Sequence, residues 1–427
     1  MKVFNLHIFD EDKFVYYYSE FVPIGKIREY NVFFSSLGGK MILCTEKEQI
    51  YRKLAEEKNK EPDISRFLEK KIVVSIYLTT NCNCECAYCY AKATKTEGGK
   101  QSFEKIKNFL DMVVGSGVEV VHLRFQGGGE PTLEIPLIKK TVEYARRKHR
   151  IERFEIQSNL LFDQKTAQYL GKNFFQVICS VDGMPEIQAR QRGVSPEEGR
   201  KIERNLKYLL TKNLKIPIKC TVSRYSNNKL REIIDYFSSL GVKEVVMEPV
   251  FAMGRASSPE SDYNSPPEFE DFLREFTEAK KYGEKQGVFA ISCFLPVEFS
   301  GLHYCGGVSG TLGLTTDGYI STCDEHFLGE GDSSPFIIGK MDWDKKKAAY
   351  DKEKIAVLNG RTALGIAGCQ SCFLKWSCRA QCPSRTFAET GDIYKPDRKN
   401  CKLIKQYAKE YLLYRAREEL NDKKKHI

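Results

Sequence analysis

Cys82-Asn83-Cys84-Glu85-Cys86-Ala87-Tyr88-Cys89 comes directly after an apolar, β-branched run, Ile72-Val73-Val74-Ser75-Ile76-Tyr77-Leu78. The run reads as a buried strand. The cysteines therefore stand on a loop at a strand end, which is where βα-barrels build their active sites. Cys82, Cys86 and Cys89 have the spacing C-x3-C-x2-C. Three thiolates this close can hold three irons of one 4Fe–4S cluster, because each iron takes one cysteine sulfur. The fourth iron is then open to a small chelating molecule. A zinc knuckle would want four ligands with paired C-x2-C spacing. Cys84 is surplus to the triplet and reads as a non-ligand.

Working outward, strands and helices alternate about six times. Strands are expected over 73–79, 119–125, 154–157, 176–181, 216–222 and 244–250, and helices over 102–114, 135–148, 164–171, 197–211, 228–239 and 267–286. Six units are fewer than the eight of a complete barrel. A doubly wound open sheet would show the same local pattern; the cysteine loop decides for a partial, TIM-like (β/α)6 barrel. Gly127-Gly128-Gly129-Glu130-Pro131 ends the second strand. Glycines let backbone approach a ligand closely, and a carboxylate beside them can pair with an ammonium group. Short polar residues end the third and fourth strands, at Gln157-Ser158-Asn159 and Ser180-Val181-Asp182-Gly183. Arg224 lies just past the fifth. Cys179 and Cys220 fall inside strands and read as small buried hydrophobes.

These motifs together resemble the radical S-adenosylmethionine (SAM) enzymes, whose signature is a C-x3-C-x2-C loop after the first barrel strand, with an aromatic residue, here Tyr88, before the last cysteine. The resemblance implies that S-adenosyl-L-methionine chelates the open iron and is cleaved to a 5′-deoxyadenosyl radical. It makes Gly128, Gly129, Glu130 and Pro131 the family's GGEP motif, which grips the methionyl amino group. It gives Ser158, Asn159, Ser180 and Asp182 to the ribose and carboxylate, with Arg224 a candidate for the carboxylate. The family's His-Asp pair followed by Arg after the fourth strand is here Gln188 and Ala189, with Arg192 in the third place.

A second cysteine set lies downstream. Cys305 and Cys323 are spaced C-x12-G-x4-C around Gly318, followed by Cys369-x2-Cys372-x5-Cys378-x3-Cys382 and by Cys401. A zinc ribbon would share the C-x2-C element. The order of all seven resembles the SPASM extension of radical SAM enzymes, which carries two auxiliary 4Fe–4S clusters and so implies three clusters in all. By position, Cys369, Cys372, Cys378 and Cys401 would hold one. Cys305, Cys323 and Cys382 would hold the other, its fourth ligand being Cys293 or an open iron. Asp324 follows Cys323 directly and stands where the sulfatase-maturating branch has its proposed catalytic base. Arg385, Tyr394, Lys395 and Asp397 are expected to shape the packing of this region, and an amphipathic helix is expected over 403–413.

The N-terminal stretch is expected to form strands over 2–9 and 13–22, a hairpin over 31–44 turning at Gly38-Gly39, and helices over 46–58 and 65–70. Its layout resembles the leader-peptide recognition domain of peptide-modifying radical enzymes, which adds a peptide to a sheet edge; a structural cap on the barrel is the alternative. Three parts follow: a small β+α module at 1–72, the partial barrel at 73–288, and a SPASM domain at 289–427.

Composition narrows the rest. The chain has 427 residues, 41% hydrophobic and 29% charged, as in globular proteins. It shows no apolar stretch of transmembrane length and no signal peptide, so a cytoplasmic protein with no membrane partner is expected. In such a compartment fifteen cysteines argue for metal ligation over disulfides. The net charge of +10 suits an acidic flavodoxin- or ferredoxin-type reductant, though Lys and Glu are interspersed as on ordinary helix faces. No Arg-rich, aromatic-interleaved stretch points to nucleic acid. The expected function is hydrogen abstraction from a ribosomally made peptide carrying a leader, giving a thioether or carbon–carbon crosslink, or epimerisation. Formylglycine formation, a small-molecule dehydrogenase and an iron–sulfur electron carrier are the rivals. Glu130 speaks against the last, since an electron carrier needs no ammonium-binding carboxylate.

Overall fold

The computed structural model describes residues 2–5, 21–37, 39–46, 71–96, 98–257 and 265–425. The strand expected over 13–22 and the helices over 46–58 and 65–70 fall wholly or almost wholly outside them. The chain forms two compact units, each discontinuous in sequence. One holds residues 70–291 and 305–360; the other holds 1–69, 292–304 and 361–427.

The larger unit is built on β5 (Lys71–Ile76), β6 (Glu119–Phe125), β7 (Phe154–Ser158), β8 (Gln176–Cys179), β9 (Ile218–Val222), β10 (Glu244–Pro249) and a short β11 (Phe289–Ile291). They are parallel and lie side by side in chain order. That order rules out a doubly wound sheet, which needs a switch point where strand order reverses. Strictly sequential right-handed crossovers put every helix on one face and curl the sheet towards a barrel. The helices are α1 (Phe103–Gly115), α2 (Ile135–His149), α3 (Gln164–Asn173), α4 (Pro185–Arg192), α5 (Pro196–Leu210), α6 (Leu230–Ser239) and α7 (Phe269–Gln286). Local chemistry sets their starts: Ser102 caps α1, and Ser195 with Glu198 forms a capping box on α5.

Three features of this unit were not anticipated, the first being β11, a seventh parallel strand at the sheet edge. The β8–β9 connection carries two helices, α4 being an extra one. On the other side of β5 the sheet continues through β12 (Thr311–Leu314), parallel to β5, and then antiparallel β13 (Tyr319–Ser321), β14 (Ile337–Asp342) and β15 (Lys347–Tyr350). Helix α8 (Lys352–Gly360) closes the unit. Cys305 and Cys323 flank β12 and β13, so they belong to the barrel unit.

The other unit joins the N-terminal sheet to the remaining C-terminal cysteines. Its strands β1 (Lys2–Asn5), β2 (Val22–Ile27), β3 (Tyr30–Ser35) and β4 (Lys40–Cys44) are antiparallel in the order β1-β4-β3-β2. The expected 31–44 hairpin is β3–β4. The β2–β3 turn runs through Arg28, in the left-handed region at φ 52°, with no Gly or Asn to announce it. Trp376 is buried against Leu37 and Leu302, tying three separate stretches of chain into one core. Short α9 (Lys375–Cys378) and α10 (Pro383–Thr390) precede a long α11 (Arg398–Lys425), which outruns the expected 403–413. Among the described residues no helix is long and apolar enough to cross a membrane.

Candidate active site

The cysteine loop leaves the end of β5 and is held by the ends of most of the other parallel strands. From β6, the glycine turn zips onto its entry: Gly129 N donates to Thr79 O (3.0 Å) and Glu130 N to Asn81 O (2.8 Å). A Cβ on Gly129 would stand 1.9 Å from Asn81 O, so only glycine permits this approach. From the β7 end, Leu161 O accepts from Asn83 Nδ2 at 2.9 Å. From α4, the carbonyls of Arg192 and Gln191 accept from Glu85 N and Ala87 N. After β10, Arg255 donates through Nε to Cys86 O (2.8 Å) and through Nη1 to Ala93 O (3.0 Å). Its backbone N reaches Cys89 O at 3.0 Å.

Glu130 is 3% exposed and bridges two strand ends. Its Oε1 accepts from Thr132 N (3.1 Å), Thr132 Oγ1 (2.6 Å) and Ser158 Oγ (2.8 Å), and its Oε2 from Asn159 N (2.9 Å). Burial raises its carboxyl above the usual value, against the pull of those donors. Oε2 carries one donor against three on Oε1, so it has room for another. Glu130, Pro131, Ser158 and Asn159 are thus gathered at one place, next to the cysteine loop. The Asn159 amide also donates to Asn83 Oδ1 (2.7 Å) and Cys84 Sγ (3.2 Å).

Asp182 is fully buried and answers mainly to its own chain. Arg192 donates to it twice, through Nε to Oδ2 (3.0 Å) and Nη2 to Oδ1 (2.7 Å). Tyr88 OH (2.5 Å) and Gln191 Nε2 (2.9 Å) share Oδ2, and Thr221 N (2.9 Å) donates to Oδ1. Asp182 therefore fixes the aromatic residue that precedes Cys89. Gln188, standing where the family has His, accepts from Asp182 N at 2.8 Å. Ser180 is buried at the β8 end with its backbone N on Ser158 O, while Arg224 is exposed and its backbone N bonds Ser265 O.

The four thiols of the loop are not alike. Hydrogen bonding with Cys84 lowers the Cys82 thiol, while the same bond and burial push Cys84 far up. Cys82 is thus the readier thiolate and Cys84 the donor. Burial pushes Cys86 up to about 12 against the pull of Arg192. Three buried polar atoms around the loop have no partner within the chain: Asn81 Oδ1, Gln126 Nε2 and Arg255 Nη2. A buried donor without an acceptor is costly. Two such donors, one of them on the Arg255 that holds the Cys86 and Cys89 carbonyls, suit an anionic, multi-atom guest, and an iron–sulfur cluster with a carboxylate-bearing ligand fits that description. Among the described residues no three Cys, His, Asp or Glu side chains converge on a single-ion site. A cluster asks for less convergence, since each thiolate binds a different iron.

Downstream in this unit, Gly307 packs between Cys305 and Cys323: a Cβ there would lie 3.2 Å from Cys305 Sγ and 3.8 Å from Cys323 Cβ. Asp324 is half-buried and accepts from Tyr77 OH at 2.9 Å. His326 pairs with Asp332 (2.7 Å) and stacks on Phe336, a structural arrangement.

In the other unit, Cys369, Cys372, Cys378 and Cys401 are brought together. Burial pushes the Cys378 thiol up to about 12, and Cys372, Cys401 and Cys369 each add to that push. Gln381 Nε2 donates to Cys401 Sγ at 3.0 Å. The turn between Cys378 and Cys382 runs through three successive left-handed residues, Arg379 (φ 51°), Ala380 (φ 65°) and Gln381 (φ 65°). Such a run is strained. It is locked by Arg361, which is fully buried and donates to Ala380 O (2.7 Å), Gln381 O (3.1 Å) and Ile393 O (2.6 Å). Neither Arg361 nor the left-handed turn carries a motif that sequence reading could find. Cys382 begins α10, and Cys293 lies 4.0 Å from Arg385 Nη1. No disulfide joins any of the fifteen cysteines.

Residues 76–250 match the radical SAM superfamily. A protein of Archaeoglobus fulgidus described as uncharacterized is 26% identical over 317 residues, 70% of this chain and 71% of its own. Among solved structures, Streptococcus suis SuiB bound to S-adenosylmethionine has a TM-score of 0.57 at 16% identity, covering 82% of this chain and 81% of SuiB. SuiB bound to its precursor peptide SuiA gives 0.55 at 15%, covering 82% and 79%. AnSMEcpe with bound AdoMet and Cp18Cys peptide gives 0.62 at 18%, covering 82% and 99%. At these identities the likeness is one of fold. Residues 76–250 are thus similar to a radical SAM domain, and the fold around them is an α/β sheet shared with these structures.

Proposed function

We propose that this protein is a radical SAM peptide maturase, acting in the cytoplasm on a ribosomally made peptide with a leader and fed by a flavodoxin- or ferredoxin-type reductant. One observation carries the reading. The likeness to peptide-bound SuiB and anSMEcpe spans 82% of the chain, well beyond the barrel. Cys82, Cys86 and Cys89 would hold the cluster that meets the cofactor. Gly128, Gly129, Glu130 and Pro131 would receive its amino group at the free side of Oε2, with Ser158, Asn159, Ser180 and Arg224 around it. Asp182 serves from behind, through Tyr88 and Arg192. Cys369, Cys372, Cys378 and Cys401 would hold one auxiliary cluster. Cys305 and Cys323 would serve the other.

When bound, these groups supply a 5′-deoxyadenosyl radical and an electron sink. The chain's own contribution to the bond change is a proton acceptor. Asp324 has its Oδ1 engaged by Tyr77, and Oδ2 remains to take a proton from the substrate. That residue also favours a second reading, oxidation of a Cys or Ser side chain to formylglycine, since such an oxidation releases a proton.

The test is made without oxygen. The iron- and sulfide-reconstituted protein receives S-adenosylmethionine, a strong reductant and the peptide encoded beside its gene. Loss of hydrogen from the peptide, abolished in Cys86→Ala, is the expected result, and fragmentation locates the bond. Unchanged mass with inverted stereochemistry would mean epimerisation. Unchanged mass and stereochemistry, with 5′-deoxyadenosine still formed, would sink the peptide assignment.

A further inference from the structure

We propose that Tyr77 is a positioning residue for Asp324, and that Gly127, the extra glycine ahead of Gly128-Gly129-Glu130-Pro131, keeps open the slot that seats its ring. The inference deepens the reading above and rests on Asp324 as proton acceptor. Tyr77 follows β5 directly and is 1% exposed. Its two neighbouring strands each meet it with a glycine. A Cβ on Gly127, after β6, would stand 2.3 Å from Tyr77 Cδ1, and one on Gly313, in β12, would stand 2.8 Å from Tyr77 OH. Gly127 also has φ +86°, a conformation L side chains rarely adopt. No larger residue fits either wall, so the ring has one place to lie.

A phenol buried this deeply needs a partner for its hydroxyl, and Asp324 Oδ1 supplies it at 2.9 Å. Burial, then the Asp324 charge, hold Tyr77 well above the ordinary phenol value. It therefore stays protonated and donates to Asp324. The consequence lies in the carboxylate. Asp324 sits on the turn after β13, and the bond from a rigid ring fixes which oxygen faces inward and which is free. Tyr77 so connects the strand that launches the cysteine loop to the residue that receives the proton.

Two measurements on the reconstituted protein decide it. In crystals of the iron-loaded Tyr77→Phe variant, Asp324 should leave its position relative to wild type; an unmoved carboxylate overturns the proposal whatever the substrate is. In turnover, Tyr77→Phe should lower the ratio of peptide product to 5′-deoxyadenosine about tenfold while 5′-deoxyadenosine formation persists. Combined with Asp324→Asn it should add nothing further. Multiplying losses in the double variant would mark a general structural role and overturn it. If wild type makes 5′-deoxyadenosine but leaves the peptide untouched, the peptide reading falls and the crystal comparison still decides the role of Tyr77.

Discussion

The two best-defined cysteine sites are held in opposite ways. The Cys82–Cys89 loop is gripped from afar: its side-chain bonds reach 78 residues on to Leu161, 94 to Asp182 and 169 to Arg255. The Cys369–Cys401 site is gripped locally, by Arg361 on carbonyls 19, 20 and 32 residues away and by Gln381 on a sulfur 20 residues away. The difference teaches what each site needs before it can form. Loop closure must be complete across the whole barrel before the first loop takes shape, whereas the polar grips on the second come from its own short stretch of chain, with Trp376 packing on Leu37 and Leu302 as its long-range tie. It also separates purposes. The first site leaves buried donors without partners at its rim, as suits a place that receives a ligand. In the second, Arg361 spends its donors on backbone carbonyls, which suits a fixture, and Ser377 Oγ beside Cys378 is a buried polar atom left without a partner among the described residues.

The comparison is most severely broken at Asp182. Replacing it by Ala leaves the buried Arg192 charge uncompensated, a loss of about 3–5 kcal/mol. Tyr88, Gln191 and Thr221 lose their acceptor too. Thermal unfolding should fall accordingly, and S-adenosylmethionine binding should be lost. Asp182→Asn, which keeps the shape, should recover part of both. Next comes Arg361→Met. Three buried carbonyls lose their donor, and the total cost is roughly 3 kcal/mol at about 1 kcal/mol each. Because that grip is local, the damage should be local as well. Iron content should drop by about four atoms per chain, one cluster's worth, while reductive cleavage of S-adenosylmethionine persists. Loss of both activities together would show the two sites to be one cooperative structure.

The same contrast explains what could be read in the sequence. The barrel was legible because each strand is a short apolar run ended by turn residues, and the helix after the second strand begins at Ile135 as its pattern says. The cysteines and the glycine turn were legible because their chemistry is written in spacing. The grips were not. Arg255 sits in an ordinary-looking stretch, Arg192 was marked only by its place in the family's pattern, and only the fold shows that they close on one loop. Asp182 reads as a rim residue that could face a ligand, yet it is buried among five donors of its own chain. Helix α4 was hidden by weak amphipathicity: Ile187, Gln188, Gln191 and Arg192 are its buried residues, three of them polar. The β12–β15 extension was missed because its strands are short and its glycines look like loop. Gly313 turns out to be one wall of the Tyr77 slot.

The smallest expected effect sharpens the contrast at the level of one sulfur. Gln381 Nε2 lies 3.0 Å from Cys401 Sγ, whereas the corresponding amide in the first site, Asn159 Nδ2, lies 3.9 Å from Cys82 Sγ and spends itself on Cys84 and Asn83. A donor on a ligating sulfur stabilises the more negative, reduced cluster. Gln381→Met keeps the volume and removes the donor. If Cys401 ligates an auxiliary cluster, that cluster should become harder to reduce by about 1 kcal/mol, roughly 40 mV for one electron. Redox titration followed by electron paramagnetic resonance would read the shift. The signal of the cluster at Cys82, Cys86 and Cys89 should stay where it is. A shift there with none in the auxiliary signal would mean that Cys401 has been given to the wrong site.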